Sequence, residues 1–188
     1  MEDKALLSTE VASGAEKAEL LIVIPAYNEA ENIERVVNHL TANFPQYDYV
    51  VVNDGSRDET AAICQRNGYN LLNLPVNLGL AGAFQAGLKY ADKYGYQYAV
   101  QLDGDGQHRP EYLESMIKKM EEGYDIVIGS RFVGEKKPFT MRMLGSNLIE
   151  MAIRFTTGVN IKDPTSGMRM FSKRMIREFA SGLNYGPE

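Results

Sequence analysis

Cysteine is almost absent from this chain. The 188 residues contain one, Cys64, so no internal disulfide can form. Cys64 lies in the helical pattern AAICQRNG between two predicted strands, where a cysteine acts as a small buried apolar side chain. This cysteine usage fits a reducing, cytoplasmic setting.

Long apolar runs are also missing. No segment reaches the roughly 18 apolar residues that a membrane-spanning helix needs. Residues 1–19 are polar and charged and lack the apolar stretch of a signal peptide, so we expect a flexible leader there. The sequence therefore predicts a soluble or peripheral protein.

The charge is unevenly distributed along the chain. Residues 1–130 carry 10 Lys and Arg against 20 Asp and Glu, whereas residues 131–177 carry 10 against 3. A basic C-terminal third favours an anionic partner such as a phosphate, a nucleotide or a lipid headgroup, and the acidic remainder argues against nucleic acid. The alternative is a chance cluster on a solvated surface.

Apolar runs and helical patterns alternate, which predicts an α/β fold of one domain over residues 20–188. The runs are nearly continuous, as in strands buried on both faces of a parallel sheet with helices on both sides. We expect functional residues directly after the strands, at their carboxyl ends. Predicted strands are 20–25, 49–54, 70–74, 98–103, 125–130 and 167–171, and predicted helices about 29–42, 57–67, 79–94, 110–123, 140–157 and 172–181.

Three of these helices leave alternatives open. Asn28 and Ser56 each precede a glutamate by three residues, the spacing of a capping box, so helix capping alone would explain both. The helix at 140–157 mixes apolar residues with Arg142 and Arg154. It either packs against the core or faces a membrane surface or a partner.

The segment Gln101-Leu102-Asp103-Gly104-Asp105-Gly106-Gln107-His108 carries the strongest chemical signal. Two carboxylates one residue apart, with glycines that permit a tight turn, can present oxygen ligands to Mg²⁺ or Mn²⁺. A divalent ion there would also bind a diphosphate and neutralise the charge of a leaving nucleoside diphosphate. Such a pair is common in ordinary turns, but its place after the fourth predicted strand favours function.

Asp54 follows the second predicted strand and precedes Gly55-Ser56. Its carboxylate either accepts hydrogen bonds from a nucleoside or closes a local Asx turn. Because Asp54, Asp103 and Asp105 all follow strands of one sheet, we expect them to face one crevice.

Six segments occur in order along the chain: Pro25-Ala26-Tyr27-Asn28-Glu29, Asn53-Asp54-Gly55-Ser56-Arg57-Asp58, Asn77-Leu78-Gly79, Asp103-Gly104-Asp105-Gly106-Gln107-His108, Gly129-Ser130-Arg131 and Asp163-Pro164-Thr165-Ser166-Gly167-Met168-Arg169. Taken together, and in this order, they resemble the motifs of family-2 glycosyltransferases, and in particular of polyprenyl-phosphate sugar transferases. The resemblance implies a GT-A fold, a Rossmann-like doubly wound and mostly parallel sheet.

The resemblance also implies residue roles. Pro25, Tyr27, Glu29 and Asp54 would bind the nucleoside of the donor. Asp103, Asp105 and Gln107 would bind Mg²⁺ or Mn²⁺ and the diphosphate, Asp105 as a catalytic residue. Arg131 and Arg169 would bind phosphate, and Asp163 would position the acceptor or order its loop.

The function implied is an inverting transfer of a sugar from a nucleotide-diphosphate donor to a polyprenyl phosphate at the cytoplasmic face of a membrane. Relatives usually continue beyond the position of Glu188, so we expect a truncated domain. The alternatives are transfer to a sugar hydroxyl, with Asp163 as base, in surface polysaccharide synthesis, and a non-catalytic nucleotide-binding module. A nicotinamide oxidoreductase is disfavoured, because Pro25-Ala26-Tyr27-Asn28 stands where a glycine-rich turn is needed.

Overall fold

The computed structural model describes residues 19–104, 109–129, 155 and 167–182. Six strands and five helices occupy these ranges. The strands are β1 (Leu20–Ala26), β2 (Asp48–Asn53), β3 (Leu71–Asn73), β4 (Tyr98–Gln101), β5 (Ile126–Ile128) and β6 (Arg169–Ser172). The helices are α1 (Ile33–Asn43), α2 (Thr60–Arg66), α3 (Gly79–Tyr94), α4 (Leu113–Glu121) and α5 (Lys173–Ser181), with a 3-10 turn at Pro110–Tyr112 before α4.

The strands form one mixed sheet in the order β3-β2-β1-β4-β6-β5. The first four run parallel, with Ala26 of β1 opposite Asn53 of β2 and Leu20 opposite Tyr98 of β4. β6 lies antiparallel between β4 and β5. The predicted α/β class with a mostly parallel sheet is confirmed.

Helices cover both faces of the sheet. Successive strand residues point to opposite faces, so alternate residues of one strand pack against different helices. Leu20, Ile22 and Ile24 belong to the apolar cluster that includes residues of α1, α2 and α4. Leu21 and Val23 belong to the cluster that includes residues of α3 and α5. This two-sided burial explains why the strand sequences are continuously apolar rather than alternating.

β5 departs from the expectation of a strand buried in a parallel sheet. It is only three residues long, it pairs with the antiparallel β6, and Ile126 is 41% exposed. Its position at the edge of the described sheet leaves one side without a strand neighbour. An apolar run of this length cannot reveal which strand it will pair with, since strand order depends on distant residues.

The capping interpretation of Asn28 and Ser56 is wrong. α1 begins after Asn32 and α2 begins after Glu59, so Asn28 and Ser56 are not the residues that precede the helices. The two N-cap residues, Asn32 and Glu59, make no side-chain cap hydrogen bond. The helices start later than predicted because the residues before them hydrogen-bond to each other across the sheet edge.

Several predictions fall on other parts of the chain. Residues 1–18, most of the predicted leader, and the helix at 140–157, except Phe155, lie outside the described residues. Within the described ranges, none of the helices combines the length and the apolar character needed to cross a membrane.

Candidate functional site

The polar segments after β1, β2 and β4 meet at the carboxyl edge of the sheet, as the parallel topology requires. The Asp54 N–H donates to the Ala26 carbonyl at 2.9 Å, and the Leu102 N–H donates to the Val23 carbonyl at 2.9 Å. These bonds extend the strand ladders by one residue. They bring Asp54 and Asp103 to the same edge, on either side of the loop that follows β1.

Side chains from the loop after β2 and from the first residue of α2 accept hydrogen bonds from the backbone of the loop after β1, and one hydrogen bond runs in the opposite direction. The Asn28 N–H donates to Ser56 Oγ at 3.0 Å, and the Arg57 N–H donates to Asn28 Oδ1 at 2.9 Å. We call the set of hydrogen bonds among residues 28–30 and residues 56–60 the two-loop clamp. It is the arrangement that replaces the two predicted helix caps.

Asn28 has a backbone φ of +57°, the one positive φ at a non-glycine residue in the described chain. Asparagine tolerates this left-handed conformation better than most residues, because its short side chain bonds nearby backbone. Here the bond is made to Arg57 on the other loop. The strained turn therefore depends on contacts that the local sequence does not reveal.

Asp58 and Thr60 complete the two-loop clamp. The Ala30 N–H donates to Asp58 Oδ2 at 3.1 Å, and the Glu29 N–H donates to Thr60 Oγ1 at 2.9 Å. The Thr60 hydroxyl and N–H donate to Asp58 Oδ1 at 2.5 and 3.0 Å. Desolvation alone would raise the pKa of Asp58, but the hydrogen bonds from Thr60 and Ala30 outweigh it and hold the pKa below its usual value.

The clamp leaves Tyr27 and Glu29 as the side chains presented by the loop after β1. Tyr27 is 44% exposed at the sheet edge. The Glu29 carboxylate accepts a hydrogen bond from Asn32 Nδ2 at 2.9 Å. Pro25 lies within β1, and its carbonyl approaches the segment that follows β4. Three of the residues predicted to bind a nucleoside therefore lie together.

Asp54 is buried, with 3% of its surface exposed, and its Oδ1 accepts the Leu78 N–H at 2.7 Å. The carboxylate thus binds the loop that leads from β3 into α3, and the Asx-turn alternative is wrong for this residue. Asn53 makes the local bond instead, its Oδ1 accepting the Ser56 N–H at 3.4 Å. Binding to a nucleoside would use an aspartate that is already fixed in place.

Gly55 lets the loops after β2 and β3 pack closely. Its φ is +64°, and a Cβ at this position would stand 2.7 Å from Val76 C and from Asn77 N. Asn77 closes its own turn through a hydrogen bond from the Gly79 N–H to Oδ1 at 3.1 Å. The predicted segments Asp54-Gly55 and Asn77-Leu78-Gly79 are therefore in contact.

Asp103 is the second residue after β4 and is partly exposed. Gln101 Nε2 donates to its Oδ1 at 3.1 Å. The next residue, Gly104, is buried, and a Cβ there would meet the Pro25 carbonyl oxygen at 3.2 Å and Glu29 Cγ at 3.3 Å. The acidic segment therefore passes directly over the loop after β1.

Arg169 begins β6, which runs antiparallel to β4, so it lies at the end of the sheet where β4 finishes. It is also opposite Ile128, the last residue of β5. The Gly129 N–H donates to the Met168 carbonyl at 2.8 Å, which places the start of Gly129-Ser130-Arg131 beside Arg169. The structure thus gathers Asp54, Asp103 and Arg169 at one edge.

Four predicted site residues lie outside the described residues: Asp105, Gln107, Arg131 and Asp163. Within the described ranges, no three histidine, cysteine or acidic side chains form a metal cluster. Asp103 supplies a carboxylate oxygen, the ligand type preferred by Mg²⁺ and Mn²⁺. The described side chains therefore fit one corner of a divalent-ion site, which Asp105 and Gln107 would have to complete.

Sequence reasoning missed the clamp residues Asp58 and Thr60 as part of the site. The signal available was the run Ser56-Arg57-Asp58-Glu59-Thr60, in which three side chains capable of accepting hydrogen bonds recur at every second position. Such a run is also common in ordinary helix starts, and only the contacts with residues 28–30 distinguish the two cases.

The profile of glycosyl transferase family 2 matches residues 21–180 of the chain. The chain belongs to this family. The family assignment excludes the oxidoreductase reading, and it confirms the resemblance inferred from the six motifs.

Two of the relatives have names that state an activity. The chain is 32% identical over 167 residues to a polyprenol monophosphomannose synthase of Mycolicibacterium smegmatis, covering 84% of this chain and 63% of that protein. It is 31% identical over 166 residues to an undecaprenyl-phosphate mannosyltransferase of Micrococcus luteus, covering 84% and 68%. The chain therefore spans about two thirds of the length of these family-2 relatives.

Solved structures of GT-A glycosyltransferases share the fold. Glucosyl-3-phosphoglycerate synthase of Mycobacterium tuberculosis in complex with UDP superposes with a TM-score of 0.64 at 21% identity, covering 83% of this chain and 57% of that one. A mannosyltransferase of Pyrobaculum calidifontis in complex with GDP-Man and Mn²⁺ gives 0.61 at 17% identity, covering 90% and 48%. The predicted GT-A fold is confirmed.

Proposed function

We propose that this chain carries the catalytic site of an inverting, metal-dependent glycosyltransferase that moves a sugar from a nucleotide-diphosphate donor to a polyprenyl phosphate. One observation carries the proposal: the segment with Asp103 packs over the turn that presents Tyr27 and Glu29. A site for a divalent ion and diphosphate would thereby adjoin a site for a nucleoside, as one donor molecule requires.

Donor binding divides between two groups of residues. Pro25, Tyr27, Glu29 and Asp54 would contact the base and ribose, and the buried Asp54 is held ready by Leu78. Asp103, with Asp105 and Gln107, would hold Mg²⁺ or Mn²⁺ and the diphosphate. When bound, the ion would neutralise charge on the departing nucleoside diphosphate. A mannosyltransferase of the same fold has been solved with GDP-Man and Mn²⁺, which supports this choice of cofactor.

The reaction requires positioning and charge stabilisation more than acid-base chemistry. The acceptor oxygen forms a bond to the anomeric carbon as the bond from that carbon to the diphosphate oxygen breaks, with inversion. The electron pair leaves with the nucleoside diphosphate. A lipid phosphate is already anionic and needs no strong base, whereas a sugar hydroxyl would need one, for which Asp163 is the candidate.

Phosphate binding would draw on Arg131 and Arg169, which would hold the donor diphosphate or the acceptor phosphate and whose guanidinium groups suit bidentate contact. Arg169 lies at the same sheet edge as Asp103, and residues 131–177 form the basic third of the chain. Two relatives are named polyprenol monophosphomannose synthase and undecaprenyl-phosphate mannosyltransferase, which supports a lipid-phosphate acceptor. We propose that this acceptor lies at the cytoplasmic face of a membrane.

The decisive experiment offers radiolabelled UDP- and GDP-sugars to the full-length protein, with polyprenyl phosphate in liposomes beside soluble glycans. We expect Mn²⁺-dependent label in the lipid, lost in Asp105→Ala and Arg169→Ala. The matched control is Glu122→Ala, which removes an acidic side chain at the end of α4, where it pairs with Lys119.

Each other outcome has a definite meaning. Label that enters only the soluble glycan would replace the lipid acceptor with a sugar hydroxyl. Nucleotide binding without transfer to either acceptor would favour the non-catalytic module. Transfer that persists in EDTA would contradict the metal role.

A further inference from the structure

Three consecutive backbone N–H groups in the loop after β1 are bound by acceptors on the loop after β2 and on the first residue of α2. Asn28, Glu29 and Ala30 donate to Ser56, Thr60 and Asp58, at 3.0, 2.9 and 3.1 Å. All three acceptors are side-chain oxygens. The loop is therefore shaped by side chains from outside it, and its own backbone N–H groups are already used.

The direction of each bond around Thr60 is determined by chemistry. An ionised Asp58 can only accept, and the Glu29 N–H can only donate. The Thr60 hydroxyl must therefore give its proton to Asp58 Oδ1, at 2.5 Å, and accept from Glu29 at 2.9 Å. Thr60 is fully buried, so water cannot substitute for either contact.

Asp58 and Thr60 differ from the residues assigned to the donor. Asp58 uses Oδ1 on Thr60 and Oδ2 on Ala30, and Thr60 is covered. Both carboxylate oxygens of the exposed Asp58, and the hydroxyl of Thr60, are therefore engaged within the clamp. What they control is the geometry of the turn carrying Tyr27 and Glu29, which is also the turn where Asn28 holds a positive φ.

We infer that Asp58 and Thr60 are positioning residues for nucleoside recognition, acting through the turn at Tyr27–Glu29 without contacting the donor. The inference rests on the proposed function, because it requires that turn to contact the nucleoside. It separates the two parts of donor affinity: the clamp sets the nucleoside part, and the diphosphate part depends on Asp103 and Arg169, which lie outside residues 28–30 and 56–60.

The test measures Mn²⁺-dependent binding of UDP, GDP and free pyrophosphate to the full chain by calorimetry. Thr60→Val keeps the shape of the side chain but removes the hydroxyl, and Asp58→Asn removes the charge and one acceptor. Each should weaken nucleoside-diphosphate binding by about fivefold to tenfold, the effect of one or two lost hydrogen bonds, with pyrophosphate unchanged.

Two controls match these variants. Thr60→Ser restores the hydroxyl and should bind within about twofold of the original chain. Glu59→Gln removes the same charge next to Asp58, from a side chain that is 75% exposed and pairs, among the described residues, with Arg66, and it should leave binding unchanged. If Thr60→Val fails to fold, the comparison of Asp58→Asn with Glu59→Gln at the exposed end of the clamp decides the question.

Equal losses for pyrophosphate and nucleoside diphosphates would overturn the positioning role, since a general structural defect would weaken both. Unchanged nucleotide binding in both Thr60→Val and Asp58→Asn would overturn it as well. If the original chain binds pyrophosphate with Mn²⁺ but neither nucleotide more tightly, the proposed function itself fails, and this inference with it.

Discussion

The two sides of the crevice are held in different ways. On the β1–β2 side, formed by the segments after β1, β2 and β3, side chains bind the backbone of neighbouring loops. On the β4–β6 side, formed by the segments after β4 and β5 and the start of β6, strand ladders bring Asp103 and Arg169 together. A single side-chain substitution can therefore disrupt the β1–β2 side, whereas the β4–β6 side depends on the register in which the strands pair.

The largest effect on the β1–β2 side is expected from Gly55→Ala. The new Cβ would meet backbone atoms at 2.7 Å, at a φ of +64°. We expect a loss of about 2–4 kcal/mol in the free energy of unfolding, from crowding and strain together. Gly68→Ala is the matched control, since Gly68 has a φ of +65° but no atom within 4 Å of a Cβ, and strain alone costs about 1–2 kcal/mol. Equal losses in denaturant titrations would contradict the close packing.

Asp54→Ala should follow in size. It leaves the Leu78 N–H without its acceptor at a buried position, which costs about 1–3 kcal/mol of stability. If Asp54 also binds the nucleoside, UDP or GDP affinity should fall much more than pyrophosphate affinity. Calorimetry at a temperature where the variant is folded separates the two roles. Equal losses for all ligands would mean that Asp54 only supports the loop.

Arg169→Ala tests the β4–β6 side. Here we expect little change in the thermal midpoint, because the backbone ladder of β6 is retained. Pyrophosphate and nucleoside diphosphates should both bind about tenfold more weakly, the effect of one charge-assisted contact. Arg169→Lys should recover only part of the affinity, since lysine lacks the bidentate geometry. A loss of nucleotide binding with pyrophosphate binding unchanged would contradict a phosphate-binding role for Arg169 on the β4–β6 side.

The smallest effect concerns pH. Because the pKa of Asp58 is lowered in the folded state, its contribution to stability is present above the pKa of the unfolded chain and is lost as the pH falls through the folded pKa. The stability difference between the original chain and Asp58→Asn should therefore shrink below about pH 4. Urea titrations at neutral and acidic pH measure it, and a difference independent of pH would contradict an ionised Asp58.

Much of this architecture could be predicted from local sequence. The pattern predicted the helix at 79–94 with the bounds that α3 has, because Gly79 and Gly95, both with positive φ, mark its ends. The meeting of Asp54 and Asp103 followed from the rule that parallel strands carry ligand residues at their carboxyl ends, whereas Arg169 reaches the same edge as the first residue of an antiparallel strand, which that rule does not cover. Both results depend on signals within a few residues.

The errors have one physical origin, contacts between segments distant in sequence. Asn28 and Ser56 have the local features of helix caps, yet they bind each other across 28 positions. The clamp forms in place of the two helix caps, because the two loops together satisfy more backbone N–H donors than either loop could alone. The antiparallel β6 was equally invisible as a neighbour of β4, since strand order is not encoded in the periodicity of either segment.

The insertion of β6 into the sheet has a consequence for folding. β4, already paired with β1 on one side, gains its second neighbour from β6, and β5 gains its described neighbour from the same strand, through the pairs Tyr98–Ser172 and Ile126–Phe171. Pairing across so long a stretch of chain carries a large loop-closure cost and slows folding. During synthesis, β1 to β4 can assemble while β4 still presents a bare apolar edge, the kind of edge that recruits other chains. Expression at lower temperature should therefore raise the soluble yield by weakening hydrophobic association at that edge.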